Sequence, residues 1–218
     1  MTRWEQWLVV FALVGLGSSA SASSILLGTD TPYLGGNPAL EDTQALAQAF
    51  TLTQGVTLSS LDVWVSDGPR PDPIVVQITD SLGPGTTIAD VVYSGTIPGT
   101  SVPGPVGEVS AAASVSLAPG TYYLVLSTAN VLGFGWESTF GVLPSTVGTV
   151  GQGYYCCFPA AVGSFPPSET YKTLAGNLVQ GAATQLHFAL EGTSAPEPSA
   201  ALLLALAAMA AANARRRA

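Results

Sequence analysis

Apolar residues in this chain recur at every second position, in short runs bounded by glycine and proline, and almost nowhere at helical spacing. Period two sends alternate side chains to opposite faces of a strand, so such a chain must stack or close its sheets to hide the apolar ones. Residues 58–65 put Leu61, Val63 and Val65 on one face and Asp62 and Trp64 on the other. Residues 73–79 group Ile74, Val76 and Ile78, and residues 184–191 group Leu186, Phe188 and Leu190 against Gln185, His187 and Ala189. Residues 47–52 and 88–93 read as further strands, the second after the turn chemistry of Asp80-Ser81-Leu82-Gly83-Pro84-Gly85. Val115 and Leu117 lead into Ala118-Pro119-Gly120, and Tyr122, Leu124 and Leu126 follow on one face, which reads as a hairpin or a strand-to-strand corner. One stretch, residues 38–50 with Leu40, Leu46 and Phe50, reads either as a helix or as an irregular lead-in to a strand. The expected fold is all-β, an antiparallel β-sandwich of jelly-roll type built from about eight short strands. Residues 98–107 and 141–178, rich in glycine and proline, read as loops, where function in such folds gathers.

Both ends of the chain depart from this pattern. Arg3, an apolar stretch over residues 7–16 and the small-x-small site Ala20-Ser21-Ala22 have the layout of a secretory signal peptide, residues 1–22. At the other end Pro196-Glu197-Pro198 precedes an alanine- and leucine-rich run over residues 200–212 and then Arg215-Arg216-Arg217. As a helix the run rises about 1.5 Å per residue and spans roughly 20 Å, short of a hydrocarbon core of about 30 Å, which suits a temporary stop better than a permanent anchor. Arginines held on the cytoplasmic side place everything before Pro196 across the membrane. The division expected is a signal peptide (1–22), a β-sandwich ectodomain (23–194) and a sorting tail (195–218) with an apolar helix.

The tail resembles the PEP-CTERM sorting signal of Gram-negative bacteria, with the Pro-Glu-Pro motif, apolar run and arginine cluster in order. The resemblance implies two processing partners, a signal peptidase and an exosortase, the latter a membrane-embedded cysteine transpeptidase that recognises Pro196 to Pro198 and removes the tail. It also implies transient residence in the inner membrane, then the cell surface or an extracellular matrix rich in polysaccharide. The preceding domain is similar to the choice-of-anchor ectodomains of such proteins, through Gln48-Ala49-Phe50-Thr51-Leu52, Leu58-Ser59-Ser60-Leu61-Asp62-Val63, Gly83-Pro84-Gly85, Leu117-Ala118-Pro119-Gly120-Thr121-Tyr122 and Gly135-Trp136. That likeness implies a surface β-sandwich and assigns no chemistry.

Charge excludes one class of partner. Between Ser23 and Ala195 only Arg70 and Lys172 are basic against twelve acidic residues, a net charge of −10. Such a chain cannot neutralise a phosphate backbone, so nucleic acid is excluded and anionic membrane surfaces are disfavoured. With charged residues at 9%, solubility must come from hydroxyls and backbone.

Candidate chemistry is sparse. His187 is the sole histidine, and alternation turns it away from Leu186, Phe188 and Leu190, so a triad or zinc site would need partners from distant loops. Cys156 and Cys157, the only cysteines, can form a vicinal disulfide in an oxidising compartment, bridge another chain or stay as thiols. Aromatic rings crowd the same region: Phe134, Trp136, Phe140, Tyr154, Tyr155, Phe158, Phe165 and Tyr171. If exposed, Trp136, Tyr154, Tyr155 and Phe158 are candidate platforms for sugar rings; otherwise they close one end of the core. Asp67, Asp72 and Asp80 match no calcium-loop spacing, and no phosphate-cradling glycine loop, nucleophile elbow or metal-ligand cluster is present in the sequence. The expectation is a protein without cofactor, metal or catalytic residues, structural or adhesive in a polysaccharide or biofilm setting. The alternatives are a carbohydrate-binding module using the aromatic loop and, third, an exported hydrolase built on scattered carboxylates.

Overall fold

A computed structural model describes residues 24–30, 38–139, 141–157, 160–174 and 185–194. The signal peptide and the sorting tail, with Pro196, Glu197, Pro198 and Arg215 to Arg217, lie outside the described residues, as do Phe140 and Phe158. The described chain is all-β, and all its strand pairs are antiparallel. In chain order the strands are β1 (Ser24–Gly28), β2 (Ala39–Leu40), β3 (Leu46–Leu52), β4 (Val56–Ser66), β5 (Ile74–Thr79), β6 (Val91–Ile97) and β7 (Gly107–Leu117). There follow β8 (Gly120–Thr128), β9 (Phe134–Trp136), β10 (Ser138–Thr139), β11 (Gly148–Cys156), β12 (Tyr171–Thr173), β13 (Gln185–Leu186) and β14 (Phe188–Ser194).

Two six-stranded sheets make a sandwich-like pair. Sheet I runs β1-β14-β4-β9-β2 with β7 on the other edge of β4; sheet II runs β12-β11-β3-β8-β5-β6; β10 and β13 form a small third ladder. The alternation seen in the sequence selects the inward faces. Leu61, Val63 and Val65 of β4 and Leu186, Phe188 and Leu190 of β13 and β14 meet Phe50, Ile74, Val76, Ile78, Leu124 and Leu126 of sheet II in one core, all of them fully buried. Phe50 lies at the centre, its ring 5.7 Å from Tyr122 and 6.1 Å from Phe188 between centroids.

Several local expectations change. Residues 38–50 hold no helix: Ala39–Leu40 is a strand, Glu41 bridges back to Gln44, and β3 follows. Residues 88–93 open as a short 3-10 turn (Ile88–Asp90), tied by the Asp90 carboxylate accepting from the Thr87 amide at 2.6 Å, and only then become β6. The segment 117–121 is a corner and not a hairpin, because β7 pairs β4 in sheet I while β8 pairs β3 and β5 in sheet II. The expected loop 141–178 contains β11 and β12. Glycines mask β11 in the sequence, but they fit it: a Cβ at Gly148 would collide with the Thr51 carbonyl of β3.

A polar side chain sits at the heart of this apolar interior. Gln48 points inward between Leu46 and Phe50 and is fully buried. Its Nε2 donates to the carbonyls of Ala49 (2.9 Å) and Gly151 (3.0 Å), and its Oε1 accepts from the Leu186 amide (2.7 Å). The Gly151 carbonyl lies in the β11 bulge where register shifts between Val150 and Gly153, so the carboxamide replaces the missing ladder bonds and ties sheet II to β13. Gln48→Leu keeps the volume and strands the Leu186 amide; unfolding in urea should show a loss of about 3 kcal/mol, and a loss near zero would remove Gln48 from this role.

Candidate functional site

The features singled out in the sequence do not converge. Trp136 is fully buried, packed in the common core with its indole Nε1 donating to the His187 carbonyl at 2.9 Å, so it cannot serve as an exposed sugar platform. Phe134 is buried beside it. Tyr154 and Tyr155 are neighbours on β11 and alternate across the sheet. Tyr155 packs against the core, while half-buried Tyr154 meets Tyr123 edge-on at 6.2 Å between centroids on the outer face. No aromatic strip therefore joins the described members of the set.

His187 takes the face that alternation gives it but is covered there. It does lie away from the core, but it is only 5% exposed, because Trp64 of β4 stacks on the imidazole at 3.9 Å and 7° between planes. Its Nδ1 is buried without a hydrogen-bond partner. Burial lowers its pKa from 6.5 to about 4, against a smaller opposing pull from Asp30. A general base needs an orienting partner on its second nitrogen, and this Nδ1 has none. The described carboxylates that do come together lie elsewhere, on sheet I. Asp62, Glu108 and Glu191 stand on adjacent strands of sheet I, and the Glu108 carboxyl is raised by burial and then by repulsion from the other two. Among the described residues no group of three His, Cys, Asp or Glu could hold a metal ion.

The structure assembles something else on the outer face of sheet II. Cys156 ends β11 and is disulfide-bonded to Cys157, whose φ of +81° turns the chain off the strand. Residues 160–170 then cross the sheet as a strap and return through β12, where Cys156 pairs with Tyr171. The strap is fastened along its length. The Val162 amide donates to the Asp42 carbonyl (2.8 Å), the Gly163 amide to Glu169 Oε1 (2.9 Å), and Gly83 in the β5–β6 turn to the Pro167 carbonyl (2.9 Å). Tyr171, its phenol raised by burial first and by Glu169 second, donates to the Pro166 carbonyl at 3.1 Å.

Strap and sheet enclose a cleft of about 450 Å³. Its floor is Val75 and Gln77 of β5 with Ser127 and Thr128 of β8, and its walls include Asp42, Val162 and Pro166. Gln77 is 8% exposed, and its Oε1 is buried with no partner. Thr128 Oγ1 is engaged, donating to the Pro73 carbonyl at 3.1 Å. No sequence motif announces this site, since its floor residues lie about fifty positions apart and meet only through the β5–β8 pairing of Gln77 with Val125 and Val75 with Ser127. Comparison with protein-family models matches no family, and comparison with curated proteins finds no match.

Two consequences can be measured. The folded state resists protonating His187 and the unfolded state does not, so stability is full above about pH 6.5, falls as pH drops towards 4, and changes no further below that from this source. Relative to His187→Leu, the native chain should lose about 2 kcal/mol over that window in urea titrations, allowing for partial solvent access. The disulfide closes the smallest possible loop, so Cys156→Ser with Cys157→Gly should change global stability by less than about 1 kcal/mol. Hydrogen exchange at the Val162 and Gly163 amides should nonetheless accelerate, and unchanged protection there would show that the disulfide does not anchor the strap.

Proposed function

We propose that this chain is an exported surface protein, carried across the inner membrane by its signal peptide and released from a PEP-CTERM tail by an exosortase. The domain left behind acts as a structural or adhesive, non-catalytic component of the cell envelope or a polysaccharide matrix. The observation that carries this reading is the order of Pro196-Glu197-Pro198, apolar run and Arg215-Arg216-Arg217 at one end, with a small-x-small cleavage site at the other. The Cys156–Cys157 disulfide supports it, since such bonds persist in oxidising compartments. We take the finer architecture to be a jelly roll, supported by the way β3 to β9 pass from sheet to sheet at nearly every connection.

The aromatic-loop version of a carbohydrate-binding module loses its support with Trp136 in the core. The hydrolase reading has His187 without a partner on Nδ1 and the carboxylate group Asp62, Glu108 and Glu191 on the strands of sheet I, and none of these residues lines the cleft.

The tail gives the test. Glu197→Ala should leave a full-length, membrane-retained precursor with an unaltered folded domain, because the motif lies beyond the end of β14 at Ser194. Deleting Arg215 to Arg217 should instead let the apolar run slip through uncut. Intact mass of the native surface form decides: a mature protein that still carries its arginines refutes the sorting reading.

A further inference from the structure

We infer that the cleft between the strap and sheet II is a binding site for one neutral, hydroxyl-rich ring, a hexopyranose unit. Its polar groups carry hydrogen-bonding capacity that the described fold does not use, and the covered Gln77 oxygen reaches the cleft only when the carboxamide turns. The Gln77 carboxamide is more than nine-tenths buried, lines the cleft and has an oxygen with no partner. Rotation about its last torsion exchanges Oε1 and Nε2, so it can accept from one hydroxyl and donate to the next. Ser127, 7% exposed, and the half-buried Asp42 line the same space, and neither side chain makes a hydrogen bond to another described residue. A carboxylate, a carboxamide and a hydroxyl are the set that vicinal sugar hydroxyls use, each hydroxyl being donor and acceptor at once. Val75, Val162 and Pro166 supply apolar surface for the C–H face of a ring.

Charge narrows the ligand further. Among the described residues no arginine or lysine lines the cleft, and Asp42 repels anions, which disfavours phosphate esters and uronic acids. A divalent cation would need several carboxylate or carbonyl oxygens, and the lining offers one carboxylate. An extended peptide adds to a sheet edge, whereas this floor is the face of two central strands already paired on both sides. The volume lies within the usual range for small-molecule pockets, about 300–1,000 Å³, and without an aromatic platform the affinity should be modest, with Kd about 1 mM for a single ring. The inference stands apart from the sorting reading, because the cleft belongs to the folded domain whether or not the tail is cut.

The experiment uses the full chain in a zwitterionic, sugar-free detergent and saturation-transfer NMR. The probes are methyl β-glucoside, methyl β-galactoside, methyl α-mannoside and methyl N-acetyl-β-glucosaminide, with methyl β-glucuronide as the charged control. At least one neutral glycoside should bind saturably, weakened about tenfold by Gln77→Leu and at least threefold by Asp42→Asn, with the melting temperature of each variant kept as the folding control. Should Gln77→Leu fail to fold, the half-exposed Asp42→Asn alone settles the question. Three outcomes overturn the inference: no saturable binding of any neutral probe, binding unchanged in the folded variants, or glucuronide binding as tightly as the best neutral glycoside.

Discussion

Gln48 is the interaction on which the interior depends. An apolar core alone does not fix how two sheets are set against each other, because hydrophobic contact is non-directional. Here a single buried carboxamide makes three directional bonds, to its own strand, to the β11 bulge and to β13. Beside it Thr29 Oγ1 accepts from the Phe188 amide at 3.0 Å, a second polar tie at the same end of the core. The first segment of the domain and its last are held in register through these two residues. Losing either leaves a buried amide without a partner, which costs more than the bond itself contributes.

How much of this was legible in the sequence follows from what alternation encodes. Leu61-Val63-Val65, Ile74-Val76-Ile78 and Leu186-Phe188-Leu190 all bury the face expected of them, because period two records which side of a sheet a residue takes. It does not record which sheet. Residues 117–121 could be a hairpin or a corner on the same letters, and only the partners of β7 and β8 decide. Nor does it record whether an outer face is covered: Ala47 and Val125 face away from the core and are still buried, and His187 is roofed by Trp64. Trp136 takes the second of its two readings, a place in the core, and the sequence left both open because an aromatic cluster looks alike there whether it faces solvent or core. The cleft is invisible there because its residues become neighbours only after sheet II has formed.

The scarcity of charge shapes the surface as well as the choice of partner. Edge strands are commonly guarded by lysine, and the described chain has one, Lys172 on the edge strand β12. Elsewhere hydroxyls take over. Thr51 and Thr121 share a cross-strand hydrogen bond at 3.0 Å on sheet II, and Thr57 and Ser116 do the same on sheet I. Where the edges β6 and β7 approach each other, the Tyr93 hydroxyl donates to the Ala112 carbonyl at 2.8 Å and occupies an acceptor that another chain could have used. The cleft shows the same scarcity of cations: its described lining carries a carboxamide, hydroxyls and one carboxylate, and no basic side chain.

The place of β14 has a consequence for the order in which its sheet can form. It is the last described strand, yet it is an inner one, inserted between β1, the first described strand, and β4. Sheet I therefore cannot close before residues 188–194 are available, since β1 has no partner in the sheet other than β14. A sheet arranged this way stays open and compliant until nearly all of the described chain is present, and it becomes rigid only when its last described strand slots into the gap.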